Sequence, residues 1–102
     1  MNTIPKYLLI AGLFTFVGSV QARDLGPDEA LKLRDSGSIQ SFEKLNELAL
    51  AQHPGGVIRE TELENELGRY IYQLEVVDAQ GVEWDLELDA ANGQIMKNHQ
   101  DD

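Results

Sequence analysis

The groups that could do chemistry in this chain are mostly carboxylates. Eighteen Asp and Glu stand against eight Lys and Arg, with two histidines and no cysteine. The most suggestive spacing is "DAANG", Asp89 to Gly93. A calcium loop of the EF-hand kind needs oxygen ligands at its first, third and fifth positions, a glycine at the sixth and a glutamate at the twelfth. Counted from Asp89, the third position is Ala91, the fifth Gly93 and the sixth Gln94. The pattern fails, so the loop reads as a turn. Asp89 can accept hydrogen bonds from the loop's own amides, and Asn92-Gly93 tolerates positive φ.

Catalytic sets are equally poor. Without cysteine there is no thiol nucleophile, and no serine sits in a nucleophile-elbow motif. His53 falls at a helix end, where a basic group suits the helix dipole. His99 falls in a polar tail. No ligand spacing joins the two into a zinc site. The sequence therefore assigns no catalytic residue, no metal ligand and no cofactor, and a small hydrolase is a weak reading.

The carboxylates gain interest from the elements that must hold them. "GRYIYQLEVVDAQG" puts Tyr70, Tyr72, Leu74 and Val76 on one face. "VEWDLELD" puts Val82, Trp84, Leu86 and Leu88 on one face, with Glu83, Asp85, Glu87 and Asp89 on the other. Strict alternation of β-friendly residues predicts two strands, and Ala79-Gln80-Gly81 suits a three-residue hairpin loop. "VIRETELENEL" could begin a helix through a Thr61/Glu64 capping box. A strand fits it better, with Val57, Thr61, Leu63 and Leu67 on one side and Ile58, Glu60, Glu62, Glu64 and Glu66 on the other. A short fourth strand could run through Ile95 and Met96.

Hairpins at Leu67-Gly68 and Ala79–Gly81 fix a register. Leu63–Tyr72–Leu88 and Thr61–Leu74–Leu86 become core rows, and apolar opposite apolar supports the pairing. The outer rows become Glu60–Glu75–Asp85 and Glu62–Gln73–Glu87, the first acidic across three strands with no basic residue expected inside it. The plain reading is a solvated face screened by salt. The functional reading makes Glu60, Glu62, Glu75, Asp85 and Glu87 a docking face for a basic partner, or a weak cation site. Tyr70, Tyr72 and Trp84 fall on the face a helix should cover. Leu74, Trp84, Leu86 and Phe42 are the expected heart of the core.

Upstream, the period becomes helical. "DLGPDEALKLRDSG" reads as a short helix with Pro27 at its first position, Asp28 and Glu29 early, Lys32 and Arg34 late, and Gly37 as stop. "SIQSFEKLNELALAQHPGG" reads as a longer one, N-capped by Ser38. Ile39, Phe42, Leu45, Leu48 and Ala49 form its apolar stripe, and Pro54 ends it. The first 22 residues look like a signal peptide. Lys6 precedes the uncharged "YLLIAGLFTFVGSV", and Val20 and Ala22 occupy a small-residue cleavage site before Arg23. An uncleaved anchor is the alternative.

The whole chain of 102 residues has a net charge of −10, and loss of Lys6 with the leader makes it −11. That excess argues against nucleic acid and against an anionic membrane surface. It favours a cationic partner, divalent ions or simple solubility.

Read in order, "HPGGVI", "ELENELGRYIYQLEVVDAQG" and "WDLELDAANGQI" resemble a PepSY domain. The matching positions are Pro54, Gly55, Glu62, Leu63, Glu64, Gly68, Tyr72, Asp89, Ala90, Gly93 and Ile95. Asn92 stands where the family usually has threonine, and Met96 where it has an aliphatic residue. The resemblance covers Leu45 to Met96. It implies kinship with part of the propeptides of thermolysin-like metalloproteases, an exported location and regulatory or inhibitory binding. It implies no catalytic residue.

The expectation is an α+β domain with N-terminal helices on one face of a small antiparallel sheet of three to four strands. It is divided into a signal peptide (1–22), a short helical segment (23–37), a PepSY-like domain (38–97) and a mobile acidic tail (98–102). The expected role is a non-catalytic periplasmic or secreted module that binds a protein partner, a peptidase or an envelope sensor. The alternative is a module binding divalent metal weakly through its acidic sheet face.

Overall fold

The computed structural model describes residues 22–101. The expected signal segment therefore lies, but for Ala22, outside the described residues. The elements run β1 (Ala22–Asp24), α1 (Pro27–Asp35), α2 (Phe42–Leu50), β2 (Val57–Glu66), β3 (Arg69–Val77), β4 (Glu83–Asp89) and β5 (Ile95–Gln100).

Both helices are short, and their ends have identifiable causes. In α1, Pro27 occupies the first turn, and the Gly26 amide donates to Glu29 Oε1 at 3.5 Å. Gly37, at φ 81°, ends it. The cap of α2 is Ser41, whose hydroxyl accepts from the Lys44 amide at 3.1 Å. Ser38, the expected cap, is committed elsewhere: its own amide donates to Leu33 O at 2.9 Å and helps close α1. The linker between the helices turns at Ser36-Gly37, and the Gln40 amide donates to Ala90 O at 2.8 Å, anchoring it just past the end of β4. Beyond α2 the chain turns tightly through Gly56. A Cβ there would lie 2.9 Å from His53 O and 3.0 Å from Val76 Cγ1, so nothing larger than glycine fits.

The strands form one antiparallel sheet in the order β1-β2-β3-β4-β5. Five strands replace the expected three to four. One extra strand is β1, which pairs Ala22–Asp24 with Glu64–Glu66. The other change is the length of β5. It takes in Asn98, His99 and Gln100, which the sequence had suggested were mobile tail, and the Asp101 amide still reaches Glu83 O at 2.8 Å. Edge strands are held by backbone pairing along one side only. "KNHQ" can form one without the apolar alternation that makes inner strands legible.

Between β2 and β3 the register is the expected one from Glu60↔Glu75 to Glu66↔Arg69, and β3 and β4 pair as Tyr72↔Leu88 and Leu74↔Leu86. It breaks between Ile58 and Glu60, where a bulge adds one residue to β2. One extra residue reverses the facing of everything before it. Ile58 thus packs against the core opposite Val76, and Val57 is 64% exposed, the reverse of the expected assignment.

One apolar cluster joins Leu45 and Ala49 of α2, Ala30 of α1 and Ile39 to Leu63, Tyr72, Leu74, Val76, Leu86, Leu88 and Ala90. No polar or charged residue is buried among the described residues. Phe42 and Trp84, expected at its heart, are only partly buried at its margin, and the fully buried bulk is Leu45, Val76, Leu86 and Leu88.

Candidate functional site

The side of the sheet opposite this cluster is a grid of charge set by register. One row runs Glu60–Glu75–Asp85–His99, and the next Glu62–Gln73–Glu87–Lys97. A third runs Asp24–Glu64–Ile71–Asp89. Alternation along each strand forces these side chains to one face. The five carboxylates singled out from the sequence, Glu60, Glu62, Glu75, Asp85 and Glu87, line a single groove of about 270 Å³ together with Lys97. His99 stands opposite Asp85 on β5 instead of in a free tail.

The row Glu60–Glu75–Asp85 is not free of basic residues. Arg59 sits at the bulge. Its Nε lies 3.3 Å from Glu75 Oε1, and its Nη1 donates to Glu83 Oε2 at 2.7 Å. Regular alternation would have turned Arg59 to the core side, and the bulge brings it to the acidic one. The two glutamates hold the guanidinium pKa above its usual value, Glu83 most strongly. Glu75, Glu83 and Asp101 place carboxylate oxygens within 4.8 Å of one another, with this arginine already among them.

At the other end of the face the charges converge without such relief. Asp24, Glu62 and Glu64 also bring oxygens within 4.8 Å of one another. The charge of Asp24 does most to push the Glu62 carboxyl above the usual carboxylate range, followed by burial and by Glu60. Glu64 is raised first by its own burial, then by Asp24 and Glu62. Asp24 was missed from the sequence because its segment gave no strand signal.

The loop after β4 is a closed turn. Asp89 Oδ1 accepts from the Ala91 amide at 2.9 Å, the Gly93 amide donates to Asp89 O at 2.7 Å, and Asn92 Oδ1 accepts from Gln94 at 2.8 Å. Gly93 sits at φ 80°. Asp89 keeps one carboxylate oxygen 3.8 Å from Arg69. These groups are used by the turn itself.

His53 lies just beyond α2, packs against Trp84 with ring centroids 4.4 Å apart and planes tilted by 32°, and pairs Nε2 with Asn98 Oδ1 at 2.8 Å. Trp84 Nε1 in turn donates to Asp78 Oδ2 at 2.9 Å. That bond, ahead of amide bonds from Val82 and Gln80, holds the Asp78 carboxyl below its usual range. The chain Asp78–Trp84–His53–Asn98 ties the β3–β4 loop, the end of α2 and β5 together. It contains no hydroxyl or thiol nucleophile.

Comparison with known proteins comes down on the same family. The model of the peptidase propeptide and YPEB domain, PepSY, matches residues 39–99. An uncharacterized protein, YkoJ of Bacillus subtilis (strain 168), is 40% identical over 60 residues, which is 59% of this chain and 35% of that protein. The chain thus spans about a third of that relative's length. No solved structure matches. PepSY domains are generally non-catalytic regulatory modules, typically extracellular or periplasmic, and no helix among the described residues is long and apolar enough to cross a membrane. With its match over more than half its length, and with the order of motifs from Pro54 to Ile95, the chain belongs to the PepSY family.

Proposed function

We propose that this protein is an exported, non-catalytic binding module that regulates or inhibits a peptidase or an envelope signalling protein. Family membership is the observation that carries the reading. Two features of the fold agree with it. No polar or charged residue is buried among the described residues, and Glu60, Glu62, Glu75, Asp85 and Glu87 line one solvent-facing side of a fixed sheet. An enzyme of this size would instead set converging polar groups in an apolar cleft. The test is cross-linking in an envelope extract, mass identification of the partner, and measurement of that partner's activity with and without the purified chain. A peptidase slowed by the chain, or a sensor whose output it changes, is the expected result. Turnover of a substrate by the chain alone would overturn the reading.

A second reading rests on Asp24, Glu62 and Glu64, whose oxygens are close enough to share one divalent cation. Calcium or magnesium would then relieve the repulsion from Asp24 that does most to raise Glu62 and that, after burial, raises Glu64. Thermal melting at constant ionic strength separates this from screening. A calcium-dependent rise lost in Glu62→Gln supports a cation-responsive module, and a melt that follows ionic strength alone removes it.

A further inference from the structure

The edge of β2 is only partly covered. β1 pairs with Glu64–Glu66, the Leu25 amide donates to Leu63 O at 2.8 Å, and the chain then leaves the sheet into α1. Among the described residues no strand pairs with Val57–Glu62 on the side away from β3. Leu63 aims its carbonyl at this side, so Thr61, two residues earlier, aims its backbone N–H and C=O the same way. Glu60, Thr61 and Glu62 are all exposed.

The open edge lies between two dissimilar hollows. On the core side is a cavity of about 400 Å³, lined by Leu25, Phe42, Thr61, Leu63 and Tyr72 and also by Asp24 and Glu62. On the other side is the carboxylate groove, to which Glu60 and Glu62 contribute. Thr61 belongs to the core face and is nevertheless exposed, because the cluster beneath it stops short of the edge.

We infer that Val57–Glu62 is a strand-addition site that takes an extended segment of a protein partner in which apolar and basic residues alternate. The inference rests on the binding-module reading above and names the surface used. An added strand bonds through its backbone to the open edge and sends successive side chains to opposite faces. One set enters the cavity beside Phe42 and Tyr72, and the other meets Glu60, Glu62 and Asp24. Charge selects the occupant. A second copy of this chain paired edge to edge would set glutamates against glutamates, which destabilises a sheet. A lysine or arginine at those positions removes the repulsion. The bulge at Arg59 limits the straight part of the edge, so the segment recognised is short.

The probe is an end-blocked peptide of four Lys-Val repeats, titrated into the isotopically labelled chain and followed through its amide resonances. Saturable shifts are expected at Glu60–Leu63 and around Phe42 and Tyr72. The same peptide N-methylated at its four central residues keeps its charge and apolarity but loses the edge-pairing donors, and should bind at least tenfold more weakly. Glu60→Lys/Glu62→Lys should lose the Lys-Val peptide by a similar factor and gain a Glu-Val one. Equal affinity for the N-methylated peptide, shifts confined to β4 and β5, self-association through the β2 edge, or no binding would each overturn the inference. Any of these leaves the regulatory reading to its own cross-linking test. Edge binding intact with no effect on any captured partner would sink that reading and leave the site standing.

Discussion

The two faces of this one sheet obey different rules. On the core face, Leu63, Tyr72, Leu74, Val76, Leu86 and Leu88 are each at most 6% exposed. On the opposite face, the same strands carry Glu60, Glu62, Glu75, Asp85 and Glu87 into a shallow groove. The first face gains from removing apolar area from water. The second sets like charges side by side, which costs stability. A domain this small keeps such a face at the expense of its own fold, and that cost is what a cationic ligand would remove.

The largest effects should come from the core face. Leu86→Ala removes a 1% exposed side chain and should cost about 2–5 kcal/mol in chemical denaturation. A loss below about 1 kcal/mol would mean that the core is misplaced. Gly93→Ala comes next. It forces a Cβ onto φ 80° and within 2.7 Å of Leu48 Cδ1, where α2 crosses the turn after β4. A cost of about 1–3 kcal/mol is expected, and an unchanged denaturation midpoint would contradict the close approach.

Leu67 gives the opposite sign. It is 78% exposed and sits at φ 54° in the β2–β3 turn, beside Gly68 at 86°. Both positions of such a turn favour Asn or Gly. Leu67→Asn should therefore stabilise the domain by up to about 1 kcal/mol. Destabilisation would show that the leucine makes a contact that matters more than its backbone strain.

The smallest effects should come from the acidic face, and they should differ between its ends. Glu62→Gln should raise the melting temperature at low ionic strength, because Glu62 lies against Asp24 with no ion pair of its own among the described residues. Glu75→Gln should give no such gain, since it removes one of the two carboxylate partners of Arg59. Equal gains from both would mean that Arg59 does not neutralise its end. The pH dependence follows from the raised carboxyls. Glu62 and Glu64 bind protons more tightly folded than unfolded, so their contribution is most favourable below the unfolded carboxylate pKa and is lost as pH rises through the raised folded values. Asp78 acts the other way, with its stabilisation present above the unfolded pKa and lost as pH falls through its lowered value. Neutralising Glu62 and Glu64 together should thus flatten the decline in stability between weakly acidic and neutral pH. An unchanged profile would place the penalty elsewhere.

The sequence made the inner strands readable because period-two alternation, two hairpin loops and opposed apolar residues over-determine their register. The carboxylate rows came with that register. The bulge at Arg59 was not readable, since "VIRETELENEL" is compatible with unbroken alternation and only the pairing of Ile58 with Val76 shows the extra residue. β1 and the far half of β5 were hidden for a related reason. Edge strands with polar side chains are specified by their neighbours' free backbone groups more than by their own residues. Ile71 shows the same limit on the acidic face. Its register placed it outward, yet it is only 2% exposed between Glu64 and Asp89.

The central claim is that one face of the sheet holds the fold while the other binds a protein. The most direct measurement is inhibition of a thermolysin-class peptidase by the purified chain and by Glu60→Gln/Glu62→Gln/Glu87→Gln, each with its melting curve at the assay salt. The account predicts that the wild-type chain slows the peptidase without being consumed. It predicts that the triple variant inhibits at least tenfold more weakly while melting no lower. Equal inhibition by both would contradict it, and none by either would remove the thermolysin-class partner and leave the claim to the cross-linking test.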